Sequence, residues 1–432
     1  MGRSAPCSEY AFRTYKLAAP GTWLWAACLL FLALGIRIAL LPIQSTDYTL
    51  FVHRWLEYIE QHGRHRALAY GFSNYEPAYT YLLVAASYFR PALPSLLLVK
   101  SICLPFELLA AWAGMDVAGR IQDLNALRRP GCAAFIAILL LPTLVLNNAA
   151  WGQCDIIYTA FLVLSFRSSI IGRPCATILW FGTVAFKFQA LFFTPFIILL
   201  LLKRRISAKH LLLLPAVPTL FAIPAVLEGR PPLEIARILL NQADTYRHLA
   251  MNVANPWEFV GNHFYALGVI AAYLATISVI LIYLLKACRQ KSNTARWLLL
   301  SATVSLALMP FFLPKMHDRY FFPAELFCVV LACAIPEFRV PAVLMQLASV
   351  LVYSNFLLNL DRRPKLHAAV LVLAIFANTC ALIFLSRSYL HDSYESRSEV
   401  KDELPTEERS GRQPIQQSFP ERFPNLYAPR RL

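Results

Sequence analysis

Charge is scarce in this sequence: Asp, Glu, Lys and Arg make up 15% of 432 residues, and glycine occurs only 15 times. Soluble domains carry about 25% charged and roughly 45 to 50% apolar residues. A chain that is 58% hydrophobic, with a mean hydropathy of +0.52, is therefore no ordinary soluble domain, and it is too apolar for a disordered or collagen-like one. The few glycines build no Walker loop and no dinucleotide fingerprint, which argues against a nucleotide-fed cytoplasmic site. The ten cysteines include no Cys-x-x-Cys pair; most stand inside apolar runs, where they read as packing or lipid-facing residues. No small-residue cleavage site follows the first apolar run, so that run reads as an uncleaved first span.

What the chain has in quantity is apolar length. A bilayer-crossing helix needs about 20 mainly apolar residues. Candidate runs lie at 22–42, 96–118, 132–146, 156–166, 175–186, 190–202, 211–227, 264–285, 297–313, 320–335, 340–360 and 368–385. The shorter ones need tilt or polar flanks to cross, and a further run at 79–89 reads as a re-entrant or interfacial segment. The expected fold is all-α, a polytopic transmembrane helical bundle of about 11 to 13 spans. Residues 1–21 form a cytoplasmic N-terminal segment, 22–386 the transmembrane domain and 387–432 a flexible cytoplasmic tail. Within the domain, 44–95 is an extracytoplasmic first loop carrying short interfacial helices.

The formal net charge of +15 needs a location. The proline-spaced tail carries as many acidic as basic residues, so it contributes none and reads as a linker. With the N-terminus inside, cytoplasmic connectors hold Arg120, Arg128, Arg129, Arg167, Arg173, Lys203, Arg204, Arg205, Lys209, Lys286, Arg289, Lys291 and Arg296. That placement follows the positive-inside rule. A smaller basic set, including Arg54, Arg247, Lys315 and Arg319, falls on the opposite face.

Four polar clusters share that opposite face. The first holds Asp47, Tyr48, His53, Tyr75 and Glu76; the second Asn147, Asn148, Trp151, Gln153 and Asp155; the third Lys187 and Gln189; the fourth Lys315, His317, Asp318, Arg319 and Tyr320. Interfacial aromatic and basic residues often do no more than anchor span ends. Ionisable groups such as Asp155 and Lys187 are costly at the ends of apolar spans unless paired or wet, and so mark function. Lys100, Glu107 and Asp116 read instead as groups that pair or snorkel within the bundle. Displacement of a phosphate by a hydroxyl suits this residue set. Asp47 can take the acceptor proton, while Lys187, His317 and Arg319, as cationic donors, stabilise the departing phosphate. A phosphate leaves without a proton, so one base suffices, unlike the two carboxyls of glycosidases. His53, His62 and His65 lack an acidic pair at ligand spacing; no metal or other cofactor is expected, with a divalent ion as the alternative.

The ordered set of Asp47 after the first span, Asn74-Tyr75-Glu76-Pro77, Trp151-Gly152-Gln153-Cys154-Asp155, Lys187-Phe188-Gln189 and Lys315-Met316-His317-Asp318-Arg319-Tyr320 resembles the GT-C superfamily of polytopic glycosyltransferases. The nearest likeness is to bacterial mannosyltransferase-like proteins related to the second mannosyltransferase of glycosylphosphatidylinositol assembly. The resemblance implies a hexose, mannose favoured, transferred from a polyprenyl-phosphate donor to a lipid-linked or surface glycan, or to a protein, outside the cytoplasm. Asp47 is then the base; Trp151, Gln153, Asp155, Lys187, Lys315, His317 and Arg319 surround the donor phosphate and sugar. Tyr48, His53, Tyr75 and Glu76 serve the acceptor or support the loop. Phe188, Asp318 and Glu76 depart from the family's usual proline, glutamate and proline. The implied partners are membrane lipids, donor and acceptor, with no nucleic acid, and the implied location is a bacterial inner membrane, or the endoplasmic reticulum in a eukaryote. A lipid or glycolipid flippase without chemistry is the alternative reading of the same charges.

Overall fold

The computed structural model describes residues 20–121, 129–182, 186–244 and 247–391. The tail beyond 391, the first 19 residues and Arg128 lie outside the described residues. Among the described residues the regular elements are helices, apart from two residue pairs in a short parallel bridge. In order, the helices are α1 (Pro20–Leu40), α2 (His53–Gln61), α3 (Pro77–Ser87), α4 (Ser95–Ser101), α5 (Leu104–Ile121), α6 (Arg129–Leu139), α7 (Pro142–Val145), α8 (Asp155–Ile170) and α9 (Pro174–Phe181). They continue with α10 (Thr194–Leu202), α11 (Ala216–Leu227), α12 (Pro232–Asp244), α13 (Tyr265–Arg289), α14 (Ala295–Phe312), α15 (Phe322–Ala334), α16 (Arg339–Leu357) and α17 (Pro364–His391). Several begin on proline, whose fixed φ and missing N–H suit a first helical position.

Among the described residues, seven helical stretches are long and apolar enough to cross a membrane: Ser95–Ile121, Pro130–Trp151, Ala208–Leu227, Tyr265–Arg289, Ala295–Phe312, Pro336–Leu357 and Pro364–His391. Leu24–Leu40, Phe188–Leu202 and Phe322–Ala334 are apolar but shorter. The expected run at 156–166 is a helix of 16 residues, and that at 175–186 contains one of only 8. The run at 132–146 instead lengthens through a π-helical turn, Leu146–Trp151, so Asn147, Asn148 and Trp151 sit on the end of a helix and not in a connector. The chain is thus a multi-pass membrane protein with long and shorter apolar helices.

Burial differs sharply from helix to helix. On α13, Leu267, Ile270, Leu274, Ile277, Leu281 and Leu285 are all more than half exposed, a stripe at helical spacing suited to lipid. In contrast α14 and α15 are buried nearly throughout. Small residues let helices close on this core: Ala110, Ala111, Ala113 and Gly114 on α5 are buried, and a Cβ at Gly114 would stand 2.5 Å from Ile138 Cδ1 and 3.1 Å from Val330 Cγ2. Close backbone approach through small residues is the usual packing in bilayers.

Charged groups inside the bundle fasten the end of α1. Arg37 donates to Glu107 Oε2 at 2.8 Å and to the carbonyls of Ala33 and Leu139 at 2.9 and 2.8 Å. Asn148 Nδ2 donates to the other Glu107 oxygen at 2.8 Å. Lys100 Nζ caps the C-terminus of α1 on the carbonyls of Leu40, Leu41 and Ile43 at 3.1, 2.9 and 2.7 Å, satisfying groups a helix end leaves unpaired. Asp116 pairs with Arg120 and Arg167, each at 2.7 Å. The three ionisable residues of this stretch therefore have structural partners, and two of them determine where the chain carries Asp47.

Candidate functional site: a cation pair among three carboxyls

The four polar clusters meet at the ends of helices. Gly152, at φ +80°, ends the π-helical turn in a left-handed conformation that glycine adopts without steric cost. The reversal folds Gln153 back onto Asn147, whose carbonyl accepts from Gln153 N at 2.9 Å, and starts α8 at Asp155. Asp155 thus stands in the first turn of a helix, where the macrodipole favours negative charge. Lys187 has extended backbone just ahead of a 3-10 turn at Phe188–Phe193. Irregular backbone at such depth persists only where protein covers it, and Lys187 is 6% exposed. On the fourth segment, strand β2 (Met316–His317) pairs in parallel with β1 (Ala250–Met251), and Lys315 N donates to Leu249 O at 2.8 Å. This bridge sets Asp318 and Arg319 at the mouth of α15.

Arg319 is the hub. Its Nη1 lies 3.7 Å from Asp47 Oδ2 and 3.4 Å from Asp318 Oδ1, and its Nε lies 3.6 Å from Asp155 Oδ2. Its guanidinium also stands 5.5 Å from the centre of the Trp151 ring. Lys187 Nζ binds Asp155 Oδ1 at 2.5 Å, Asn147 Nδ2 donates to Asp155 Oδ2 at 2.9 Å, and Lys187 Nζ is 5.5 Å from the centre of the Tyr75 ring. Burial disfavours the Lys187 charge, but the negative groups around it, Asp155 foremost, more than restore it and hold the ammonium above the ordinary lysine range. Burial opposes the Arg319 charge in the same way, and Asp318, Asp155 and Asp47 help sustain it.

Asp47 is held from one side only. Trp151 Nε1 and Gln153 Nε2 both donate to Oδ2, at 2.9 and 2.6 Å; among the described hydrogen bonds none engages Oδ1. Its side chain is 23% exposed. Tyr75 OH donates to Gln153 Oε1 at 3.4 Å, and burial pushes the Tyr75 phenol up to about 12, so it stays a neutral donor. Ser45 Oγ donates to Trp151 O at 2.6 Å and accepts from Tyr48 N at 3.1 Å, clamping the Asp47 turn to the Trp151 turn.

His317 differs from the expected cation. Burial, with Arg319 and Lys187 adding to it, pushes the imidazole down to about 3, so at neutral pH it is an uncharged ring packed edge-on to Tyr320 at 5.2 Å. Tyr48 and His53 stand outside the carboxyl–cation cluster: the Tyr48 hydroxyl shares a hydrogen bond with Ser95 Oγ at 2.7 Å, and His53 Nε2 pairs with Glu57 at 3.2 Å. They support the loop. Burial raises the Glu76 carboxyl to about 7 against the pull of Arg230, and its Oε1 has no hydrogen-bond partner among the described residues. Asn147, named in the second cluster without a role of its own, joins the site through Asp155, Ser45 joins it through Trp151, and Arg230 acts on Glu76. Only the turn at Gly152, which brings positions 147 and 155 together, reveals the first of them. Among the described residues, no group of three His, Cys, Asp or Glu side chains could hold a metal ion.

The arrangement offers a partly exposed carboxylate with one oxygen held by two donors, next to the buried Lys187 and the part-buried Arg319. Arg319 Nε is itself buried without a hydrogen-bond partner among the described residues. Its contacts of 3.4 to 3.7 Å are longer than the ~2.7–2.9 Å of a formed charge-assisted bond. The guanidinium is therefore under-used by its own protein. No protein-family model matches this chain, and no curated protein matches it either.

Proposed function

We propose that the protein is a GT-C-type membrane glycosyltransferase of about 11 to 13 spans that moves a hexose, mannose favoured, from a polyprenyl phosphate to an acceptor hydroxyl. The observation that carries this reading is the under-used Arg319 guanidinium beside Lys187 and Asp47, which matches a ligand bearing phosphate next to a nucleophilic hydroxyl. In the reaction, Asp47 Oδ1 takes the proton of the acceptor O–H. The freed oxygen attacks the anomeric carbon of the sugar from the side opposite the phosphate, and the bond from that carbon to the phosphate oxygen breaks with inversion. The electron pair leaves on the phosphate, where Arg319 and Lys187 meet the added charge. Arg319 offers the planar fork that fits phosphate oxygens and Lys187 a point charge. Neutral His317 orients the sugar or phosphate by hydrogen bonding and adds no charge.

The apolar exposed stripe of α13 beside the buried α14 and α15 supports sideways entry of a lipid-linked donor, with the acceptor arriving from the water beside Asp47. The test is to incubate detergent-purified protein with mannosyl, glucosyl and arabinosyl polyprenyl phosphates and a glycolipid acceptor. Release of polyprenyl phosphate that requires the acceptor is the expected result. Movement of intact donor across proteoliposomes with no release marks a flippase instead.

A further inference from the structure

Outside the carboxyl–cation cluster stands a buried carboxyl that takes no part in the proposed reaction. Glu325, on α15, is 1% exposed. Its Oε1 accepts from Ser349 Oγ and its Oε2 from Gln346 Nε2 at 3.1 Å, both on α16. The oxygen of Gln346 is used as well: Oε1 accepts from Thr143 N at 3.3 Å and from Thr143 Oγ1 at 3.1 Å. Thr143 N belongs to the first turn of α7, where a helix leaves its amides without an internal partner, and Leu141, just ahead of that helix, supplies no side-chain cap. Gln346 therefore caps α7 from a neighbouring helix. An amide that gives its oxygen to Thr143 has its NH2 left to donate, and Glu325 is the acceptor that receives it. The chain Glu325–Gln346–Thr143 thus ties α15 to α7 through α16, and a buried polar network of this kind rigidifies its surroundings when its members are satisfied.

Both ends of that tie lead into the site. Helix α7 runs directly into the π-helical turn Leu146–Trp151, from which Asn147 donates to Asp155, Asn148 to Glu107 and Trp151 to Asp47. Helix α15 begins at Phe322, whose N–H donates to Arg319 O at 3.1 Å. One end thus holds the carboxyls and the other the guanidinium. Building on the phosphate reading above, we propose that Glu325 is a positioning residue for the transfer: through Gln346 it fixes α15 against α7 and so sets Arg319 at 3.7 Å from Asp47 and 3.6 Å from Asp155. Glu325 touches neither donor nor acceptor and exchanges no proton. Its effect is geometric, and a misplacement of about 1 Å at a reacting centre can cost about 10²-fold in rate.

The test uses purified full-length protein, mannosyl polyprenyl phosphate and a glycolipid acceptor, with variants compared at equal folded fraction. Glu325→Leu removes the acceptor of the Gln346 amide, and Gln346→Leu cuts the middle of the chain while leaving the buried carboxyl in place. Each should lower kcat about tenfold or more. The donor KM should move less than about threefold, because a misplaced Arg319 fails to meet charge that develops only as the phosphate leaves. Glu325→Gln, whose amide oxygen still accepts from Gln346, should recover most of the loss. In a double-mutant cycle, Arg319→Lys should cost about 10²-fold in the unaltered protein. In the Glu325→Leu or Gln346→Leu background it should cost no more than about tenfold, since both changes act on one contact; the second background serves if Glu325→Leu is not recovered folded. Turnover at the unaltered rate in a folded Glu325→Leu or Gln346→Leu, or losses that multiply fully in the cycle, overturns the positioning role and leaves the phosphate reading standing. Absence of polyprenyl phosphate release by the unaltered protein overturns both.

Discussion

Arg319 and its neighbours decide the chemistry at the scale of single residues. Substituting Lys for Arg319 keeps the charge but loses the fork, so phosphate stabilisation should drop while the fold persists. Donor turnover is expected to fall by about 10²-fold, in the range for removing one transition-state donor, and steady-state kinetics of polyprenyl phosphate release will read it. His317 gives a pH signature of its own. Its folded pKa, about 3, lies below the ordinary histidine value, so the stability it contributes is complete above about pH 6.5 and is lost as pH falls toward 3. Asp318 runs the other way. Its carboxyl is raised to about 7, so its contribution is complete below about pH 4 and is lost as pH rises through neutrality. Thermal unfolding in detergent should show the acid-side loss flattened in His317→Gln and the loss near neutrality flattened in Asp318→Asn.

At the scale of elements, two glycines and a lysine hold the site's parts in place. Gly152 has open space where a Cβ would go, so alanine there meets only the backbone cost of φ +80°, about 1 kcal/mol. Gly114→Val should cost more, ~1–3 kcal/mol, because α5 would be pushed off Ile138 and Val330; a lowered midpoint of thermal unfolding checks both. Lys100→Met should loosen the end of α1 and reduce activity without touching donor or acceptor. Much of this level was legible in the residues. Apolar runs and polar clusters marked helices and their ends, and Lys100, Glu107 and Asp116 read as internal partners. What periodicity does not give is helix continuity through Asn147, Asn148 and Trp151, since a π-helical turn leaves no apolar repeat. Nor does it show the shortness of α9. The charge state of His317 was also hidden, because it depends on burial, with Arg319 and the sequence-distant Lys187 adding to it.

For the whole molecule, the long helices and their lipid-facing stripes place the chain in a membrane, and the proposed orientation puts the carboxyl–cation cluster outside the cytoplasm. That orientation is testable after replacing the exposed cysteines Cys28, Cys132, Cys175 and Cys288 by serine. A membrane-impermeant maleimide should label Gln61→Cys in intact cells and label Lys209→Cys only after the cells are opened. The reverse pattern inverts the topology and moves the site to the cytoplasmic side. On the proposed reading, the net charge of +15 divides into connectors that orient the spans and a small minority that handles phosphate, reached by a lipid donor through the bilayer.

The central claim is that Asp47 removes the acceptor proton while Arg319 and Lys187 hold the phosphate. Its most direct test compares Asp47→Asn with the unaltered protein, both purified and equally stable, for release of polyprenyl phosphate from a lipid-linked hexose in the presence of acceptor. A loss of about 10²–10⁴-fold in turnover, with binding of the lipid-linked donor retained, is the predicted result. Turnover at the unaltered rate in Asp47→Asn contradicts the account.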